Sequence, residues 1–354
     1  MGKVQGYLVL ENGKVFKGKR FGAGGDVTAE VAFVTGMTGY LETLTDKTYG
    51  GQIVVQTFPL IGNYGMIEAD FEGDTVGPAG YIVKEWCQIP SNFRSEGNLD
   101  TFFVERGVVA LAGIDTRALT KIIREAGALN GCITDDPDKV DLAALKAYRV
   151  QGEIAKMSTK EVYTAKADPE LYKVALLDCG GQDSVWRELQ KRGCTVTVYP
   201  YDTPAADILA TKPDGIVLSD GPGDPAENDA LIATVKTLSD SGVPLFGIAL
   251  GHQVLARARG YQTKALGSGH RGSNQPVRHT ETGRVYITGQ NHRYVVDLAS
   301  LDAGAKVLFE HVNDNSCEGL RYLDIPAFSI QFYGGPHDTS FVFDDFIQMM
   351  KEGA

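Results

Sequence analysis

After Tyr172 the chain alternates short apolar runs with amphipathic ones: VALLDCG, SVWRELQKRG, CTVTVYP, PAADILATK, GIVLSDGPGDP and NDALIATVKTLSDSG. Strand-length segments alternating with helical ones predict a doubly wound α/β layer, a parallel sheet with helices on both faces. Such sheets gather ligands at the carboxyl ends of their strands, where loops meet helix N-termini. Two loops therefore matter most, 219–225 (SDGPGDP) and 247–253 (GIALGHQ), each following an apolar run. The second has the form of a nucleophile elbow: a buried strand, a glycine-flanked turn, then a helix. That turn lifts one residue to the sheet edge beside backbone N–H groups able to hold an oxyanion. The residue lifted here is Ala249.

The first part of the chain follows another pattern. Residues 7–103 are strand-like, with pieces such as YLVLE and QIVVQTF between Gly-, Asp- and Asn-containing turns. The segment DTRALTKIIREA spaces its apolar residues helically, offers Asp115 as N-cap and closes before Gly127. A mixed, β-rich first domain is expected over residues 1–150, a charged and alanine-rich linker over 151–172, and the α/β domain over 173–354. A length of 354 residues suits two domains with separate cores rather than a fragment. The net charge of -11 argues against a nucleic-acid surface, which needs clustered Lys and Arg. No apolar run is long enough to cross a bilayer, and MGKVQGYLVLENGK lacks a signal-peptide pattern, so no membrane association and a cytoplasmic location are expected. The five cysteines are scattered without CxxC pairs and read as free thiols; neither a metal site nor a cofactor is expected.

At GIALGHQ the chain resembles the class I glutamine amidotransferases, whose elbow reads G-x-C-x-G-H-Q. Within them it resembles the small subunit of carbamoyl-phosphate synthetase. The narrower likeness rests on MTGYLETLTDKTYGGQIVVQTFPLIGNYG, PSNFRSEGNL and GIDTRALTKIIREAGALNG in the first domain. In the second it rests on LSDGPGDPAEN, GHRGSNQPV, QNHRY and GPHDTSFVFDDFI. The resemblance spans nearly the full chain. It implies a glutamine-hydrolysing subunit that passes ammonia to a large subunit in a hetero-oligomer, serving pyrimidine or arginine biosynthesis. It also implies a cysteine nucleophile, a histidine base and a glutamate that orients the base.

Carried over one by one, those catalytic positions fail. Ala249 stands where the family has its cysteine, and a methyl group has no lone pair with which to attack a carboxamide. The histidine belongs in a stretch resembling Q-[FY]-H-P-E-A-S-P-G-P-H-D. Here the chain reads Gln331-Phe332-Tyr333-Gly334-Gly335-Pro336-His337-Asp338, so Tyr333 takes the base position in a shorter loop and the glutamate has no counterpart. The resemblance thus implies a glutaminase-deficient homologue.

The glutamine-contacting positions are mixed. Gly221, Gly223, Leu250, Gln253 and Asn291 match the family, and Thr48 replaces a serine while keeping a hydroxyl. Arg293 and Tyr294 stand where the family has Gly and Phe, which changes the pocket's size and charge. The family's D-F-G-x-K-x-N reads Asp178-Cys179-Gly180-Gly181-Gln182-Asp183-Ser184, losing the lysine and asparagine. Simpler readings stand beside these: turn chemistry for Gly221 and Gly223, packing for His252 and Cys179, an occluding or internally paired Arg293, and a helix lead-in for His337 and Asp338.

The expected function is a non-catalytic partner of a synthetase large subunit or a homologue of it. Two alternatives stay open. One is a repurposed enzyme using Arg293, Tyr294, Tyr333 and Asp183 on another substrate; the other is a module that senses glutamine or another small molecule.

Overall fold

A computed structural model describes residues 4–335 and 338–353. The chain divides into two compact units, Met1–Gln151 and Gly152–Ala354.

The first unit is built on strands β1 (Gln5–Leu10), β2 (Val15–Gly22), β3 (Val27–Val34), β4 (Gln52–Gln56), β5 (Leu60–Ile61), β6 (Gly80–Ile82), β7 (Glu85–Trp86), β8 (Val109–Ala112) and β9 (Leu129–Thr134). Seven of them close a barrel in the order β1-β2-β8-β6-β4-β3-β9, and β5 pairs with β7 in a separate small sheet. The period of two sorts the side chains. Leu8, Leu10, Val31, Ile53, Val55, Ile82 and Leu111 share one core with Leu119 and Ile123 of the helix Thr116–Ala126. Val54, Tyr81 and Ala110, one residue out of step, join Tyr40, Leu44 and Phe103 in another. The Asp115 side chain accepts a hydrogen bond from the Ala118 N–H at 3.0 Å, the cap its sequence predicts.

The second unit adds β10 (Tyr163–Ala165), β11 (Tyr172–Asp178), β12 (Cys194–Pro200), β13 (Gly215–Leu218), β14 (Leu245–Ile248), β15 (Thr263–His279), β16 (Val285–Val296), β17 (Ala305–His311), β18 (Cys317–Tyr322) and β19 (Ala327–Ile330). They form one ten-stranded sheet in the order β10-β12-β11-β13-β14-β19-β18-β17-β15-β16. The run from β12 to β19 is parallel and forms the doubly wound part; β18, β17, β15 and β16 extend it with antiparallel pairs. Residues 151–172, expected as a linker, hold the helix Glu153–Met157 and edge strand β10, which pairs with β12.

Alternate residues of the parallel strands feed two cores, as a sheet covered on both faces requires. Ala175, Leu177, Ile216, Leu218 and Leu245 pack with the helices Ala205–Ala210, Asp229–Ser239 and Leu250–Ala258. Val174, Leu176, Val217 and Phe246 pack with the helices Ser184–Lys191 and Phe341–Glu352. The α/β reading of the sequence is therefore met, with β14 at the centre of the sheet and its carboxyl end opening into the elbow. Among the described residues no helix is long and apolar enough to cross a membrane.

Candidate functional site

Strand β14 ends at Ile248 and the helix Leu250–Ala258 begins two residues later, which leaves Ala249 to make the whole reversal. Its backbone sits at φ 45°, ψ −104°, a region that costs a non-glycine residue on the order of 1–3 kcal/mol. Two bonds hold it there. The Ala249 N–H donates to the Ile330 carbonyl at 2.8 Å, and the Gly251 N–H donates to the Ser219 carbonyl at 3.0 Å, tying the turn to β19 and to the loop after β13. Gly251 packs so closely that a Cβ there would collide with the Leu218 carbonyl. The elbow is thus built complete, with a buried methyl at its tip.

The neighbouring loops are pinned by backbone bonds. Asp178 Oδ1 accepts from the N–H groups of Gly180 (2.9 Å) and Gly181 (3.0 Å), and its Oδ2 accepts from Thr159 N–H (2.7 Å). Asp220 Oδ1 accepts from Gln182 N–H at 3.0 Å. A Cβ on Gly221 would strike the Cys179 carbonyl and approach Leu250 to 2.9 Å, and Gly223 has φ 96°. Close approach and a left-handed turn account for these two glycines whatever ligand they meet.

Of the pocket positions, the second unit brings several together. Gln253 Nε2 donates to the Tyr294 carbonyl (2.6 Å) and to Gln331 Oε1 (2.9 Å), so its amide hydrogens bind the protein itself. On β16, Asn291 and Arg293 alternate with Gln290, His292 and Tyr294, and the Arg293 guanidinium lies over the Tyr294 ring at 5.8 Å. The Tyr333 N–H donates to the Gly289 carbonyl at 3.0 Å, which ties Tyr333 to β16. Ile248, Tyr333, Gln182, Ser184 and Asp220 line a cavity of only about 10 Å³, room for about one water molecule. Thr48 belongs to the first unit, where it is buried and its hydroxyl donates to Asp46 Oδ1 at 2.7 Å. Asp183 lies 3.9 Å from Arg187, Asp338 is exposed, and His337 falls outside the described residues.

Cys179 and His252 are both held neutral by burial. Burial, with Asp178 and Asp220 adding to it, raises the Cys179 thiol far above its ordinary range, so no thiolate forms at neutral pH. His252 is fully buried, with Nδ1 2.7 Å from Ser329 Oγ, and burial lowers it to about 3. It is a neutral packing and hydrogen-bonding residue. The partners Ser329 and Gln331 escaped the sequence reading. The apolar run IPAFSIQF signals a buried strand but not that its two polar members face the elbow helix.

Residues 8–133 match the family of the carbamoyl-phosphate synthase small chain, CPSase domain, and residues 175–349 match the glutamine amidotransferase class-I family. Over 354 residues the chain is 45% identical to the carbamoyl phosphate synthase small chain of Bacillus caldolyticus, covering 98% of this chain and 96% of that one. This chain belongs to the carbamoyl-phosphate synthase small-chain family. The small chain of Fusobacterium nucleatum is 44% identical, with 96% of this chain and 97% of the relative covered. That of Streptococcus agalactiae is 41% identical, with 98% of each covered. Membership therefore extends across both units.

Proposed function

We propose that this chain is a small-chain homologue that does not hydrolyse glutamine and serves as the non-catalytic partner of a synthetase large subunit, which would then draw on free ammonia. The carrying observation is Ala249 at the tip of an otherwise complete elbow. Acyl transfer to the protein needs a nucleophile there, and a methyl group supplies none. Tyr333 at the base position adds to this, since a phenol with an ordinary pKa near 10 accepts protons poorly at neutral pH. Losing such members of a catalytic unit typically costs on the order of 10⁴ to 10⁶ in rate. Gln253, one of the family's glutamine contacts, is hydrogen-bonded internally, which fits a cleft no longer shaped by substrate.

The test is reconstitution. The chain is co-expressed with a large subunit, the complex is isolated, and carbamoyl phosphate formation is followed with glutamine or ammonium as nitrogen donor. The expected result is a stable complex active with ammonium alone. Glutamine-dependent turnover above background would refute the reading, and failure to co-purify would remove the partner role. A calorimetric titration of the isolated chain with glutamine separates a sensing role, which gives heat without ammonia, from a scaffold, which gives neither.

A further inference from the structure

The antiparallel extension of the second sheet buries a cluster that the elbow does not use. His270 on β15 and His292 on β16 are cross-strand partners, and Glu318 projects from β18 with no exposed surface. Each has one polar atom committed to an outer partner. His270 Nε2 lies 2.9 Å from Asp314 Oδ2, while Asp314 Oδ1 accepts from the Ser316 N–H (3.0 Å) and hydroxyl (2.8 Å). In the neutral ring the Asp314 carboxylate beside Nε2 places the hydrogen there and leaves Nδ1 with its lone pair; the metal-free alternative is the imidazolium, its Nδ1–H facing Glu318 Oε1 at 3.3 Å. His292 Nδ1 lies 3.0 Å from the Tyr294 carbonyl, which can only accept, so Nε2 keeps the lone pair. Glu318 Oε2 accepts from Gln290 Nε2 at 2.9 Å and Oε1 remains.

The three remaining atoms converge. His270 Nδ1 and Glu318 Oε1 stand 3.3 Å apart, His292 Nε2 is 3.9 Å from the same oxygen, and all three lie within 4.8 Å of one another. Neither His270 Nδ1 nor Glu318 Oε1 makes a hydrogen bond, although both are buried. Gln290 Oε1 stands 2.9 Å from His292 Nε2. Its amide cannot be turned, because Nε2 also donates to Thr288 Oγ1 (3.1 Å), whose own hydrogen goes to the Gln275 carbonyl (3.0 Å). Two lone pairs therefore face each other at that contact unless a cation lies between them.

From this geometry we propose that His270 Nδ1, His292 Nε2 and Glu318 Oε1, with Gln290 Oε1 beside them, form a buried tetrahedral site for a divalent transition-metal ion of the zinc type. Ligands about 2.0–2.1 Å from a tetrahedral ion sit about 3.3–3.4 Å apart; the spacings here are 3.3, 3.9 and 2.9 Å, so two of the pairs would adjust by about 0.5 Å on binding. The outer shell follows the pattern of metal-bound histidines, one ring nitrogen as ligand and the other donating to a carboxylate or carbonyl. Two imidazoles and a carboxylate suit zinc, cobalt or nickel better than calcium or magnesium. Full burial makes the ion structural, a clamp joining three strands. His311 stacks on His270 at 3.9 Å but is no ligand: its Nε2 meets Gln275 Oε1 at 3.1 Å and its Nδ1 accepts from Asn313 N–H at 3.3 Å. Ligands at 270, 292 and 318 make no compact motif, so no local pattern announces the site.

The experiment uses the full chain after chelator treatment, titrated with Zn²⁺ and Co²⁺. One equivalent should bind, Co²⁺ should give the visible spectrum of a four-coordinate site that Zn²⁺ bleaches, and Tm should rise with metal. His292→Asn and Glu318→Gln should each abolish stoichiometric binding, Asp314→Asn should weaken it about 10- to 100-fold, and His279→Asn should leave it unchanged. X-ray absorption on the zinc-loaded wild-type chain should show two imidazoles with oxygen completing the shell, a readout independent of whether the variants fold. Absence of stoichiometric binding to the wild-type chain would overturn the proposal and leave a proton as the cation between His292 and Gln290. So would a site whose spectrum survives both ligand variants.

Discussion

The elbow and the histidine–glutamate cluster lie on one sheet, yet they have kept opposite things. At Ala249 a strained, tightly held turn carries only a methyl group at its tip. In the cluster the chemically capable side chains persist, each with its outer partner, on strands whose register shifts between Ala265 and His270 show no regular backbone device. The difference follows from what holds each region. The elbow is fixed by close glycine packing and by backbone bonds to Ile330 and Ser219, none of which involves the side chain at its tip. The cluster is held by its side chains, and removing one would leave buried polar partners unsatisfied. A turn can outlive its chemistry; a buried polar network cannot readily do so.

Gly251→Ala attacks the elbow's frame and should have the largest effect at neutral pH. Its Cβ would meet the Leu218 carbonyl, a backbone atom in the sheet centre, so the loss should reach about 3 kcal/mol, the upper end of ordinary overpacking. Denaturant unfolding of the variant measures it, and a loss under half that size would show the frame to be pliable. Next comes the pH response of His252. Its pKa is about 3 when folded against an ordinary 6.5, so the unfolded chain binds the extra proton between those values. Stability is then full above about pH 6.5 and falls as pH drops toward 3, by up to about 1.4 kcal/mol per pH unit from this one group. His252→Asn should flatten that part of the stability–pH curve relative to the native chain. An unchanged slope would mean that the imidazole is not buried neutral.

Ala249→Gly should move stability the other way and by less. Relief of the φ 45° strain, on the order of 1–3 kcal/mol, is partly offset by the greater freedom of an unfolded glycine, up to about 1 kcal/mol, leaving a gain of about 1 kcal/mol. A rise in Tm checks it. Destabilisation would show that the methyl's packing outweighs the strain.

Much of this contrast can be read from the residues. The doubly wound layer was legible because strand and helix differ in apolar period, and the elbow because only a glycine-flanked turn joins a buried strand to a helix so tightly. The capping Asp115 is a local signal and was legible too. The internal use of Gln253 was not, because its partners Tyr294 and Gln331 lie far off in sequence and meet it only through the order of β14, β19 and β16. The strand within residues 151–172 was hidden for a like reason: β10 is three residues long, polar on its exposed side, and exists by pairing with β12. The buried cluster combines three strands, so no window of sequence contains it.

The smallest expected change is the most informative about the elbow. Ala249→Cys returns a thiol to the tip, where the first turn of the helix Leu250–Ala258 favours negative charge and should draw the thiol's pKa below its ordinary 8.5. That thiol should be alkylated by iodoacetamide at neutral pH, though more slowly than free cysteine because the tip is buried. It should nevertheless release no ammonia from glutamine above background, since attack needs a base beside the thiol and a donor to the leaving amine, and Tyr333 serves poorly for both. Adding Tyr333→His supplies an imidazole but no orienting carboxylate, so the double variant should remain far below a complete catalytic unit. Alkylation with silence toward glutamine would show a competent turn lacking its base. Glutamine hydrolysis by the single variant would show that one atom, not a linked set, separates this chain from an active amidotransferase.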